Sequence, residues 1–156
     1  MTEKIVVDGM LGNIAKWLRL LGIDVHYERN MDDDKLLELA LKENAILITG
    51  DEELSYKAFR RRIKAIYIRS KLPKAIAIKQ ILAELNLKKD DLKIGSRCIA
   101  CNNLLKPIKK ETLIGKIPDK VLEFNHEFWY CERCDKIYWY GSHWRNIEKE
   151  LKVLFS

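Results

Sequence analysis

Apolar residues in the first ninety positions follow two alternating rhythms. The runs Ile5-Val6-Val7 and Ala45-Ile46-Leu47-Ile48 are apolar at every position and end at Asp8 and at Thr49-Gly50-Asp51. Short, unbroken and largely β-branched, they read as strands buried on both faces. Between them Leu11, Ile14, Ala15, Leu18 and Leu21 keep helical spacing as far as Gly22, the residue type that most readily closes a helix. Ile23 to Tyr27 then predicts a second strand, and Leu36, Leu37, Leu39 and Ala40 the apolar face of a helix capped by Asp33 or Asp34. Glu52 to Arg61 predicts a helix, Ala65 to Ile68 a fourth strand, and Pro73 opens a helix through Ile76, Ile81, Leu82 and Leu85. This β-α-β-α-β-α-β-α order calls for an α/β fold: a parallel sheet with right-handed crossovers and helices on both faces. Leu87 to Gly95, rich in Lys and Asp, predicts a linker.

Neither rhythm continues into the last third, where Cys98-x-x-Cys101 and Cys131-x-x-Cys134 stand 29 residues apart. Two such pairs supply the four thiolates of a tetrahedral Zn²⁺ site, so residues 95–156 are expected to form a zinc ribbon after an α/β domain at 1–94. Two disulfides would need an oxidising compartment. The opening Met1-Thr-Glu-Lys-Ile has no apolar stretch to serve as a signal peptide, so a cytoplasmic location is expected instead. A thioredoxin-type site would use one CxxC. His126 and His143 are not needed as ligands, because four thiolates close the shell. No apolar run reaches the 18 residues that would suggest a membrane span.

Charge changes the picture once it is divided along the chain. The net is +6, but residues 1–55 hold 6 basic and 12 acidic groups, and residues 56–95 hold 12 and 3. A carboxylate cluster beside a surface for polyanions is the expectation; solvated helix faces are the plainer reading.

Open parallel sheets bind ligands beyond the carboxyl ends of their strands, and Asp8 and Asp51 follow two such ends. A third carboxylate is available among Asp32, Asp33 and Asp34, and a fourth from Glu53. Oxygen ligands without histidine or cysteine suit Mg²⁺ or Mn²⁺, ions that keep waters and borrow phosphate oxygens. The chemistry this permits is phosphodiester hydrolysis, the ion activating a water and stabilising the leaving oxygen. Against this stands the common use of Asp as a turn or cap residue.

Five blocks carry a resemblance: Val7-Asp8-Gly-Met-Leu-Gly12, Trp17-Leu-Arg-Leu-Leu-Gly22, Leu47-Ile-Thr-Gly-Asp51, Ser96-Arg-Cys-Ile-Ala-Cys-Asn102 and Ile137-Tyr-Trp-Tyr-Gly-Ser-His-Trp144. In this order they resemble the Mut-seven C-terminal ribonuclease domain, a PIN-like nuclease fold fused to a zinc ribbon. The resemblance implies a metal-dependent ribonuclease with its acidic site at Asp8, Asp33 and Asp51, joined by Glu53; Asp34 and Glu38 are substitutes if the register shifts. The chain departs from a typical ribbon in having Asp135 rather than glycine after the second CxxC, where a positive φ is expected.

Arg19, on the helix behind Asp8, is expected to contact the scissile phosphate, which its fixed fork suits, although pairing with a carboxylate would also occupy it. Arg60, Arg61, Arg62 and Lys64, with Arg69, Lys71 and Lys74, form a candidate backbone track for RNA. Tyr138, Trp139, Tyr140 and Trp144 are expected in the ribbon's small core rather than as base-stacking rings. The function expected is therefore Mg²⁺- or Mn²⁺-dependent hydrolysis of RNA, probed against two rivals: a non-catalytic RNA-binding or ribosome-associated module, and the toxin of a toxin and antitoxin pair.

Overall fold

In the computed structural model, which describes residues 3–156, the four expected strands pair side by side. Strands β1 (Ile5–Val7), β2 (Val25–Tyr27), β3 (Ile46–Thr49) and β4 (Ala65–Tyr67) form one sheet in the order β2-β1-β3-β4, every pairing parallel. Helices α1 (Gly12–Leu20), α2 (Asp33–Lys42) and α3 (Glu52–Arg60) make the crossovers, and α4 (Lys74–Glu84) follows the last strand.

Burial explains the layering. Val6 and Leu47 pack with Leu36, Leu37 and Ala40 of α2 and with Leu54 and Ala58 of α3, all essentially inaccessible to solvent. Side chains alternate along a strand, which turns Ile5, Val7, Ile46 and Ile48 to the opposite face. There α1 and α4 pack on each other. Both faces are covered, as an all-parallel sheet requires, and that is why the central strands β1 and β3 read as unbroken apolar runs.

The chain forms two compact units, Met1–Asn102 and Asn103–Ser156. The segment expected as a linker is docked within the first. Gly95 N–H donates to Leu20 O at 2.8 Å, and Gly22, at φ +88°, lies so close to Lys93 that a Cβ there would stand 2.3 Å from its carbonyl oxygen. Only glycine meets both demands, conformation and approach. The cap of α2 also differs from expectation. Asp32 is the cap, accepting from Lys35 N–H at 2.9 Å, so Asp33 becomes the first helical residue and its carboxylate is not used on the helix end.

The second unit is a three-stranded antiparallel sheet, β5 (Lys106–Ile108), β6 (Phe128–Cys131) and β7 (Lys136–Trp139), with α5 (Asp119–Phe124) and α6 (Ser142–Leu154). Its core is small: Leu113, Leu122 and Phe128 are buried, with Ile137 and Trp139 packed against them. The expectation for the aromatic residues divides here. Trp139 joins the core, whereas Tyr140 packs outside it between Trp129 and Trp144, at centroid distances of 4.7 and 4.4 Å.

Candidate active site and metal centre

Strand order decides where a ligand would sit. From β1 the chain crosses to β2 on one side, while β3 lies on the other, so the topological switch point falls between β1 and β3. Asp8 leaves β1 and Asp51 follows β3, flanking that crevice. A residue the sequence reading overlooked joins them. Thr49 is fully buried; its hydroxyl donates to Asp8 Oδ2 at 2.8 Å and accepts from Asp51 N–H at 3.0 Å. The available signal was its place two residues before Asp51 at a strand end.

Both aspartates double as caps. Asp51 Oδ1 accepts from Glu53 N–H at 2.9 Å and Leu54 N–H at 3.3 Å, and Asp8 Oδ1 accepts from Met10 N–H at 3.4 Å. Asp33, partly buried in the first turn of α2, is pushed above the ordinary Asp pKa by burial and then by the charges of Asp51 and Asp8, with Lys57 opposing. Those causes place Asp33 within electrostatic reach of the other two. Asp34 and Glu38 are exposed. Glu53 is exposed too, its carboxylate 3.9 Å from Lys57 Nζ, so Lys57 is the cation beside the acidic rim and a second residue the sequence reading missed.

The cysteines converge elsewhere. The Sγ atoms of Cys98, Cys101, Cys131 and Cys134 all lie within 4.8 Å of one another and are unbridged. Among the described residues this is the one group of three or more ligand side chains gathered so closely. Each CxxC closes in the same way: Asn102 N–H donates to Cys98 O and Asp135 N–H to Cys131 O, both at 2.8 Å, with Asn102 at φ +76° and Asp135 at φ +55°. Asn and Asp tolerate this left-handed conformation better than other side chains, which accounts for a knuckle without glycine. Cys134 N–H also points to Cys131 Sγ at 3.4 Å. Four thiolates around one point suit a closed tetrahedral Zn²⁺ site.

The pattern of the Mut7-C RNAse domain family matches residues 3–151, nearly the entire chain. The chain belongs to this family. No curated protein and no solved structure matches it. No helix among the described residues is long and apolar enough to cross a membrane.

Within this Mut7-C chain Arg19 is not at the acidic rim, which corrects the expectation of a phosphate clamp. It is 5% exposed, near the end of α1; Nε and Nη2 donate to Val25 O at 3.2 and 3.1 Å, and Nη1 donates to Ile99 O and Ala100 O at 3.2 and 3.1 Å. Val25 opens β2, so the guanidinium lies at the amino-terminal edge of the sheet, opposite Asp8. Burial lowers its pKa, opposed by Cys101 and Cys98. Asn102 completes the tie: its Oδ1 accepts from Val25 N–H at 3.0 Å and its Nδ2 donates to Asp24 at 2.7 Å. The first knuckle of the Mut7-C chain is thereby held against the sheet edge remote from its carboxylates.

Proposed function

We propose that this Mut7-C chain is a metal-dependent ribonuclease, with residues 1–94 as its PIN-like nuclease domain and residues 95–156 as a zinc ribbon. The observation that carries the reading is the pair Asp8 and Asp51 at the switch point, joined through Thr49, with Asp33 close enough to feel both charges. Three carboxylates that repel one another are a donor set for a hard divalent cation. Asp8, Asp33 and Asp51 would hold Mg²⁺ or Mn²⁺, with Glu53 at the margin. Bound there, the ion would acidify the attacking water and neutralise charge on the phosphate.

The chain's own residues do the rest. Thr49 fixes the Asp8 carboxylate with one hydrogen bond and the Asp51 backbone with another, so the two cannot drift independently. Lys57 offsets part of the repulsion at Asp33 while the site awaits substrate. Cys98, Cys101, Cys131 and Cys134 would hold Zn²⁺ in a structural role, because the knuckle carrying the first two sits at the opposite sheet edge.

Asp8→Asn and Asp51→Asn conserve size and most cap hydrogen bonds but remove a ligating charge. Each is expected to abolish Mn²⁺-dependent cleavage of single-stranded RNA while circular dichroism and melting stay close to those of the parent. Full activity in either variant, or cleavage that persists in EDTA, overturns the proposal. The cap bonds made by both aspartates favour one rival, an RNA-binding module whose acidic rim is structural. Because asparagine caps as well as aspartate, that rival predicts folded variants that bind RNA as the parent does, with no metal-dependent cleavage in the parent itself.

A further inference from the structure

The basic residues of the middle segment look like one patch in sequence, but the sheet divides them. Helix α3 runs back from Asp51, so Arg60, Arg61, Arg62 and Lys64 collect where β4 begins, at the amino-terminal edge. Arg69 and Lys71 lie between β4 and α4, and Lys74 opens α4, all at the carboxyl edge that carries Asp8 and Asp51.

Their proximity to the acidic rim is set by the backbone. Ile68 N–H donates to Thr49 O at 2.8 Å, and a Cβ on Gly50 would stand 3.4 Å from Ile68 O. The chain entering Arg69 therefore abuts the chain entering Asp51. Arg69 and Lys71 are exposed, and Lys74 Nζ lies over the Trp17 ring, 4.4 Å from its centroid.

Sign separates the two halves of this rim. The first turns of α2 and α3 carry Asp33, Asp34, Glu52 and Glu53, whereas those of α1 and α4 contain no acidic residue. No acidic residue occurs anywhere from Ala65 to Ala83. Acidic first turns stand over one face of the sheet, and the first turns over the other face carry no acidic residue, with the switch point between. A polyanion entering the crevice meets repulsion on the first side and attraction on the second.

We propose that the segment from Arg69 to Lys74 binds the RNA phosphates that flank the cleaved bond, and that the longer run Arg60–Arg62 does not. The assignment rests on the acidic rim being the hydrolytic centre. Contacts to phosphate give affinity and register without base preference. Each contact to a single strand adds about 0.7 to the slope of log affinity against log salt, so two lost contacts reduce it by about 1.4.

The test compares two sets of substitutions in the full chain, with binding of single-stranded RNA oligonucleotides followed in EDTA across a salt series. Arg69→Gln with Lys71→Asn removes both charges; asparagine suits position 71, where φ is +63°. The expected result is a slope lower by about 1.4 and weaker binding of all sequences alike. Arg60→Ala, Arg61→Ala and Arg62→Ala together should leave the slope unchanged. An unchanged slope in the first set, or an equal fall in the second, overturns the proposal. Binding without cleavage is read throughout, so failure of the hydrolytic reading would appear in the aspartate variants and not in these slopes. Equal loss of affinity for an acidic peptide would also overturn it, by showing a partner other than RNA.

Discussion

Asp33 bears a charge that the fold disfavours. Its pKa is raised, chiefly by burial and then by Asp51 and Asp8, so protonation favours the folded state. The stability that its protonated form confers is complete below the ordinary value of 3.8 and is lost as pH rises through the raised one. At neutral pH, ionised Asp33 therefore opposes folding of the metal-free protein. Asp33→Asn is expected to melt higher than the parent in EDTA at pH 7, with the difference vanishing below about pH 3.8. On the metal role proposed for Asp8, Asp33 and Asp51, the order should reverse in Mn²⁺, because the variant has lost one ligand of the ion. Scanning calorimetry across pH with and without Mn²⁺ checks both; a lower melting temperature in EDTA would show that Asp33 supports the fold instead.

At the level of elements, Arg19 is a connector between α1, β2 and the first cysteine knuckle. Its donors satisfy three carbonyl oxygens, those of Val25, Ile99 and Ala100, at low exposure. Arg19→Met keeps the apolar stem and leaves those acceptors without a partner. At about 1 kcal/mol for each, the loss should be about 3 kcal/mol in urea unfolding. The rate of RNA cleavage well below the melting temperature should change little, since the guanidinium stands at the edge opposite Asp8. A variant of unchanged stability that cleaves far more slowly would return Arg19 to the phosphate. Helix α1 thus does two jobs that its apolar periodicity does not announce. Its leading end follows the turn that carries Asp8, and its trailing end holds the knuckle.

For the whole molecule, the two units differ in how far they support themselves. Met1–Asn102 covers both faces of its sheet, whereas Asn103–Ser156 buries only a few large apolar residues among those described. A unit of that size needs a metal or another staple to stay folded. Cys131→Ser is therefore expected to unfold Asn103–Ser156 and to leave the parallel sheet protected in hydrogen exchange, with zinc content falling well below one equivalent. Cys98 and Cys101 should keep their place, because the hydrogen bonds of Arg19 and Asn102 tie that knuckle to the edge of the sheet. Loss of protection in β1 and β3 would show instead that the sheet depends on the metal.

Periodicity and spacing alone determined the α/β class, the parallel sheet, the two CxxC knuckles and the candidate carboxylates at Asp8 and Asp51. These are local features: a buried strand, a helix face and a metal turn each leave their pattern within a few residues. Tertiary structure decided what depends on where distant segments meet. Thr49 could be placed beside Asp51 from sequence but not read as a bridge, because its other partner, Asp8, lies forty-one positions away. Arg19 looked like a phosphate ligand because it lies on the helix that follows Asp8; its partners at Ile99 and Ala100 are eighty and eighty-one positions on. Asp32 rather than Asp33 became the cap, a shift of one residue that no propensity resolves, since all three aspartates cap equally well. The basic run was divided for the same reason. A strand and its flanking helices carry neighbours in sequence to opposite edges of a sheet, and only the strand order shows which edge also holds the carboxylates.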